Sequence, residues 1–363
     1  MILRLIWRAS AFFGALLLAL CLTVILLGTQ TDAVIARYSL NDVFVQGIDQ
    51  DAHIFIHDLT TDFRIPLTAE GTRNLGFTDT PDGQHSLFIS DDCQGHYGLC
   101  QMDQNGHNKQ LLSADLPRNA APGTGASWSP DGTRLAFVSP APNDARQPTL
   151  YIFDYLSHQL EQAPTPIYMD WDAPLIWERD GRTLTFVIAQ PRIFVGYQYD
   201  VESDSRPKAI RTWLKGSWNA RANVLDAFGS IFLVRSKTLS EADYDLYLLD
   251  VSSGAASNLS NTPLISEVDA VFAEDSPTLA VISAVGNWHM LSTVSADWSS
   301  WHMLTTSGGA FLATPHWVNG DTAILYHRGT IEQHRACIVS VETYQNECPL
   351  MWTPNIVFLD TEE

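Results

Sequence analysis

A turn phrase that returns at a fixed interval constrains this chain more than any other feature. It is most complete at Trp128-Ser129-Pro130-Asp131-Gly132, followed by Leu135-Ala136-Phe137-Val138. It returns at Trp177-Glu178-Arg179-Asp180-Gly181 before Leu184-Thr185-Phe186-Val187-Ile188, and in worn form at Thr80-Pro81-Asp82-Gly83 before Leu87-Phe88-Ile89. Asp-Gly supplies the positive φ that a tight hairpin turn demands, and the alternation that follows suits a half-buried strand, so each copy predicts a β-hairpin. Gly83, Gly132 and Gly181 are spaced by 49 residues, and Gly320, in Trp317-Val318-Asn319-Gly320-Asp321, lies 139 beyond Gly181. That gap holds three intervals of about 46, a blade length among propeller repeats. Two eroded copies fill it, Ala227-Phe228-Gly229 before Ile231-Phe232-Leu233-Val234 and Glu274-Asp275-Ser276-Pro277 before Leu279-Ala280-Val281-Ile282.

A second marker keeps the same phase without using the glycines. Apolar segments end in aspartate at Asp58, Asp103, Asp154, Asp200 and Asp250, and a further short strand is expected some ten residues later, as at Pro66-Leu67-Thr68, Asn258-Leu259-Ser260 and Met303-Leu304-Thr305. Four short antiparallel strands per unit, repeated side by side, make an all-β chain of the β-propeller type, which manages its sheet edges by radial repetition. The count is about seven four-stranded blades, with six or eight as the alternatives. The unit from Tyr38 to Thr68 lacks a clear first strand, and Asn355-Ile356-Val357-Phe358-Leu359 is a candidate to supply it.

The order Trp-Ser-Pro-Asp-Gly, then Leu-Ala-Phe, then Ile152-Phe153-Asp154 resembles the WD40-like Pro-Asp (PD40) repeat of TolB-type propellers, also found in the propeller domains of prolyl oligopeptidase-like peptidases. The likeness extends over nearly the whole chain after the N-terminus, with the copy at 128–154 matching best. It implies a fold and a habit of binding, because one fold hosts many activities and function resides in a site.

The N-terminus carries the second strong signal. Ala9 to Gly28 runs without a charge, behind Arg4 and Arg8 and ahead of Asp32. That length spans a bilayer core as a helix, and the charge asymmetry places the N-terminus in the cytoplasm. Residues 1–32 are therefore expected to form a cytoplasmic stub and an uncleaved transmembrane anchor, with 33–363 as an extracytoplasmic propeller, in the periplasm or at the cell surface. A cleaved signal peptide is the rival reading, but no clear small-x-small site follows the apolar stretch. The box-like Leu18-Ala19-Leu20-Cys21 is a poor lipoprotein signal because Leu20 is large.

Cysteine usage fits that location. Beyond Cys21, the remaining four fall into two local pairs, Cys93 with Cys100 and Cys337 with Cys348, each expected to staple a hairpin in an oxidising compartment. Zinc is the competing reading, and neither pair has the two-residue spacing of a zinc knuckle. The formal net charge of −20 over 363 residues repels phosphate backbones, so nucleic acid is not an expected partner.

Catalytic motifs are scarce. Ser127 and Ser129 near Gly125 lack the second glycine of a nucleophile elbow. No metalloprotease helix, phosphate-cradling loop or dinucleotide fingerprint is present, and no cofactor is implied. His53 and His57 share a strand face but stand ~13 Å apart, too far to chelate one metal. Aspartates at 91 and 92, 170 and 172, and 243 and 245 are expected to be solvated turn formers rather than acid–base pairs. Trp128, Trp177 and Trp317 recur at one repeat position, so packing between blades accounts for them. Trp213, Trp218, Trp288, Trp298 and Trp301 fall outside that phase and are the candidate recognition residues, for a protein or a glycan. The expected function is thus a non-catalytic binding or scaffold module. A hydrolase or lyase with a site at the propeller's channel mouth, or a carbohydrate binder, is the alternative.

Overall fold

The computed structural model describes residues 44–348, except 49–52, 59–62, 70–71, 115, 117–125, 142–143, 165–172, 191–192, 204–205, 215–221, 237–242, 263, 319 and 331–333. The expected anchor, Trp218 and the Asn355–Leu359 segment lie outside the described residues. Among those described, no helix is long and apolar enough to cross a membrane.

Seven antiparallel sheets follow one another along the chain. Sheet 1 runs from Phe44 to Pro66 and shows three strands; sheets 2 to 7 each show four, over Asn74–Ser113, Ser127–Gln162, Leu175–Leu214, Asn223–Asn258, Ser266–Gly308 and Phe311–Glu347. Within each sheet the strands are ordered as they occur in sequence, so every blade is a simple meander. This is the architecture of a seven-bladed propeller. The unit expected to lack its first strand is sheet 1, the one showing three strands among the described residues.

The repeated phrase does the work its residues predict. Gly83, Gly132, Gly181, Gly229 and Gly320 all adopt positive φ, between 59° and 69°, each in the turn joining the first two strands of a sheet. At Gly83, Gly132 and Gly181 the preceding aspartate closes the turn with its side chain. Asp131 Oδ1 accepts the Ser129 hydroxyl at 2.6 Å and the Thr133 amide at 3.1 Å, and Asp82 repeats this with Thr80 and Gln84. These donors hold both carboxyls below the usual carboxylate range. Neighbouring turns nest: a Cβ on Gly132 would meet the Pro81 ring at 3.4 Å, and one on Gly181 would meet the Asp131 carboxylate at 3.7 Å. The second marker falls where expected, as Asp58, Asp103, Asp154, Asp200 and Asp250 each end the third strand of a four-stranded sheet or its equivalent in sheet 1.

Alternation along single strands builds the cores between sheets. On Arg134–Ala141, Leu135 and Phe137 pack with Leu87, Ile89 and Leu99 of sheet 2, whereas Ala136 and Val138 pack with Leu184, Phe186 and Ile188 of sheet 4. Successive side chains of a strand point to opposite faces, so each inner strand serves two cores, and its apolar run is near-continuous rather than amphipathic. Fully burying a side chain such as Phe137 or Phe186 stabilises by about 3 kcal/mol.

Two of the in-phase tryptophans, Trp177 and Trp317, link consecutive sheets by hydrogen bonds. Trp177 Nε1 donates to the Ser127 carbonyl at 2.9 Å, and Trp317 Nε1 donates to the Val271 carbonyl at 3.4 Å. Each indole thereby reaches the first strand of the preceding sheet from the same repeat position. Trp128 packs edge-on against Tyr155. Both cysteine pairs are joined. Cys93–Cys100 ties the second strand of sheet 2 to the third, and Cys337–Cys348 ties the third strand of sheet 7 to the segment just after its fourth.

Candidate functional site

The off-phase tryptophans do not form one patch. Trp213 is 6% exposed and belongs to the core between sheets 4 and 5. Its ring lies against Gly196 on the neighbouring strand and its Nε1 donates to the Gly254 carbonyl at 3.0 Å. The expectation that Trp213 serves recognition is therefore corrected: the indole is a spacer between sheets, and its polar edge is already paired. Trp298 sits at positive φ in the turn after the Trp288–Ser295 strand, half-buried against the core between sheets 5 and 6. Trp301, exposed, opens the fourth strand of sheet 6 opposite Val294. Trp288 starts the third strand, six residues before Val294 along it. At about 3.3 Å per residue the two exposed indoles stand ~20 Å apart, at opposite ends of the sheet.

Trp288 has apolar company at its own end. Val285 pairs with Trp288 across a tight hairpin, and Ser266, which follows the Leu264–Ile265 loop, pairs with Ala284. Leu264, Val285 and Trp288 thus share one end of sheet 6, at 80%, 44% and 60% exposure. The Trp288 ring is laid on Gly308 of the fourth strand, where a Cβ would come within 3.3 Å of it. Glycine lets the indole lie close to the sheet. Such an exposed aromatic flanked by aliphatic side chains marks a binding surface more often than a scattered hydrophobe does.

Polar groups gather on the first strands of sheets 5, 6 and 7, which a propeller arranges around its axis. In Asn223–Phe228, Ser266–Phe272 and Phe311–Val318 the pairing with the second strand shifts at a bulge, and bulges re-aim side chains. Asp226 Oδ2 accepts the Phe272 amide of sheet 6 at 2.7 Å, and Asp269 Oδ2 accepts the Thr314 amide of sheet 7 at 3.1 Å. Each carboxylate clamps the next sheet. Burial pushes Asp226 up to about 6. Thr314 itself has a φ of 47°, unusual for a β-branched residue, and its Oγ1 lies 2.7 Å from Nδ1 of the buried His327.

A further carboxylate pair lies between sheets 5 and 6. Asp245, expected as a solvated turn former, is buried at the start of a strand and takes hydrogen bonds from Asn258 and Ser260. That expectation fails because the strand Asp245–Asp250 begins beneath the following loop, which covers its first residue. Glu267, 1% exposed, accepts the Thr262 hydroxyl at 2.7 Å. Its burial, and then the charge of Asp245, push it up to about 7. Asp91, by contrast, is exposed and accepts the Arg73 amide at 2.7 Å, a local structural role; Asp170 and Asp172 lie outside the described residues. Among the described residues no group of three or more His, Cys, Asp or Glu side chains is placed to hold a metal ion.

Sequence reasoning did not pick out Leu264, Val285, Glu267, Asp226 or the Thr314–His327 contact. A signal existed for the carboxylates: Asp226, Glu267 and Asp269 interrupt short segments otherwise destined for first strands, where sheets 3 and 4 carry Ser127-Trp128 and Leu175-Ile176-Trp177.

No protein-family model and no curated protein matches the sequence. Solved structures are similar in fold. An oligogalacturonate lyase in complex with manganese superposes with a TM-score of 0.58 at 11% identity, over 85% of this chain and 84% of that one. The β-propeller domain of the Trilobed protease from Pyrococcus furiosus gives a TM-score of 0.56 at 13% identity, over 86% and 94%. TolB from Acinetobacter baumannii is a looser neighbour, with a TM-score of 0.44 at 13% identity over 86% and 82%. At these identities the likeness to the lyase and the protease domain shows a shared β-propeller fold, and their activities stay with them.

Proposed function

We propose that this chain is a membrane-tethered propeller of Pro-Asp repeats, related to the TolB type, that binds a protein partner without catalysing a reaction. Residues 1–32 form the cytoplasmic stub and anchor, and 33–363 form the extracytoplasmic module. The observation that carries the binding role is the corner of Leu264, Val285 and Trp288 on sheet 6, with the indole held against Gly308. The two joined cysteine pairs support the location, because such bonds persist in oxidising compartments.

The test is site-directed. A photo-crosslinker placed at 288 in the membrane form is expected to trap one partner, and the same group at 301 is expected not to. Trp288→Ala should weaken capture at least tenfold, about 1.4 kcal/mol, while circular dichroism stays unchanged. Equal trapping from both ends would overturn the reading, and specific retention of an oligosaccharide dependent on Trp288 would replace it with glycan recognition.

One observation favours a second reading. Thr314, strained and 2.7 Å from the imidazole of His327, pairs a hydroxyl on the first strand of sheet 7 with a base on the second. Turnover of an ester, peptide or glycan by the purified protein, abolished in both Thr314→Val and His327→Gln, would make this chain a hydrolase or lyase.

A further inference from the structure

We propose that sheets 5 and 6 hold a divalent cation of the calcium class between them, with the Glu267 carboxylate as its principal ligand. The site stands apart from the binding role argued above and does not depend on it.

The convergence of oxygen atoms comes first. Glu267 Oε1 accepts the Thr262 hydroxyl at 2.7 Å, and the Thr262 amide donates to Asp245 Oδ1 at 3.4 Å, so both carboxylates meet at one residue. Ser260 adds its hydroxyl to Asp245 Oδ1 at 3.2 Å, and the Tyr244 carbonyl accepts the Glu267 amide at 2.9 Å. Ser236 pairs directly opposite Asp245, which puts the two side chains on the same face of sheet 5.

Two of these oxygens are unspent. Glu267 Oε2 is buried and has no hydrogen-bond partner among the described residues, and the fully buried Ser236 Oγ likewise has none. A buried carboxylate oxygen without a donor costs several kcal/mol in desolvation unless something positive or a proton meets it. Arg235, next to Ser236 on the same strand, turns to the other side, where its guanidinium donates to the Val268 carbonyl and lies 5.0 Å from the Tyr244 ring centroid.

Donor chemistry selects the ion. Among the described residues the atoms available are carboxylate, hydroxyl and carbonyl oxygens, with no imidazole or thiolate. Hard cations take such sets, and calcium accepts the irregular, mixed-oxygen geometry that magnesium resists. Two carboxylates match a double positive charge.

The experiment uses the full chain in detergent, stripped with EDTA and exchanged into calcium-free buffer at pH 7.5. Terbium binding is read by luminescence sensitised through the nearby aromatic side chains, calcium is titrated against it, and melting is followed with and without calcium. At calcium 100-fold above Kd the wild-type Tm is expected to rise by on the order of 5 °C. Glu267→Gln keeps the acceptor for Thr262 and removes the charge, so it should lose that rise and weaken terbium binding at least tenfold; Glu342→Gln, at an exposed turn of sheet 7, should change neither. No rise in wild type, or an equal rise in Glu267→Gln, overturns the site. A Tm that follows pH but ignores calcium assigns the place to a proton instead. Should Glu267→Gln not fold, Ser236→Ala is expected to weaken terbium binding several-fold, and unchanged affinity overturns the proposal.

Discussion

Single residues in this protein act mainly by deciding where a strand turns and what the next sheet is tied to. Gly132 and Asp131 are legible in the sequence because a left-handed turn and a side-chain acceptor leave few alternatives. Asp226 was not legible, since nothing in a lone aspartate announces that its partner is an amide 46 residues away. Its chemistry yields a sharp test. The carboxyl rises to about 6 in the folded chain from about 3.9 when unfolded. A raised folded value means the folded state holds the proton more tightly, so the associated stability is complete below pH ~4 and is lost as pH rises through about 6. Asp226→Asn keeps an acceptor for the Phe272 amide without the charge. Its stability should match wild type at about pH 3 and exceed it at pH 8 by on the order of 2 kcal/mol. Parallel pH profiles for the two proteins would show that the carboxyl is not desolvated.

At the scale of elements, the sheets were readable because hairpin chemistry and strand alternation reinforce each other in every copy. Even the glycine-free phrase at Glu274–Pro277 marks a turn, closed by the Ala273 amide donating to the Thr278 carbonyl at 2.8 Å. The facing of a tryptophan was not readable. Trp213 and Trp288 each lie on a glycine of the adjoining strand, Gly196 and Gly308, yet one points between sheets and the other into solvent; only the packing of sheet on sheet separates them. The links between sheets predict measurable costs. Trp317→Phe keeps the ring but removes the donor to the Val271 carbonyl, and should lower stability by about 1 kcal/mol. Replacing Cys337 and Cys348 together by serine should lower it by about 3 kcal/mol, the chain-entropy value for so short a loop. Non-reduced peptide mapping of the exported protein should recover Cys93 joined to Cys100 and Cys337 joined to Cys348.

For the whole molecule, the repeat period carried the architecture but not the location of function, because the period describes what the blades share. The exposed corner of sheet 6 and the carboxylates between sheets 5 and 6 are departures from that shared pattern, and a single copy of a departure has no rhythm to reveal it. Sheet 1 shows three strands where the others show four. If Ile356–Leu359 completes it, deleting residues 354–363 should lower the Tm and promote association through an opened sheet edge; an unchanged melt would leave that segment without a closing role.

The meander order of every sheet has a consequence in time. Among the described residues each strand of sheets 2 to 7 bonds only to strands that are its neighbours in sequence, so these blades need no residue from far along the chain to form, and each finds its packing partner already made. Pairing within a blade therefore closes only short loops, which costs little chain entropy and favours progressive assembly. A nascent chain emerging slowly from a ribosome or a membrane pore can therefore stack blade on blade in the order of synthesis.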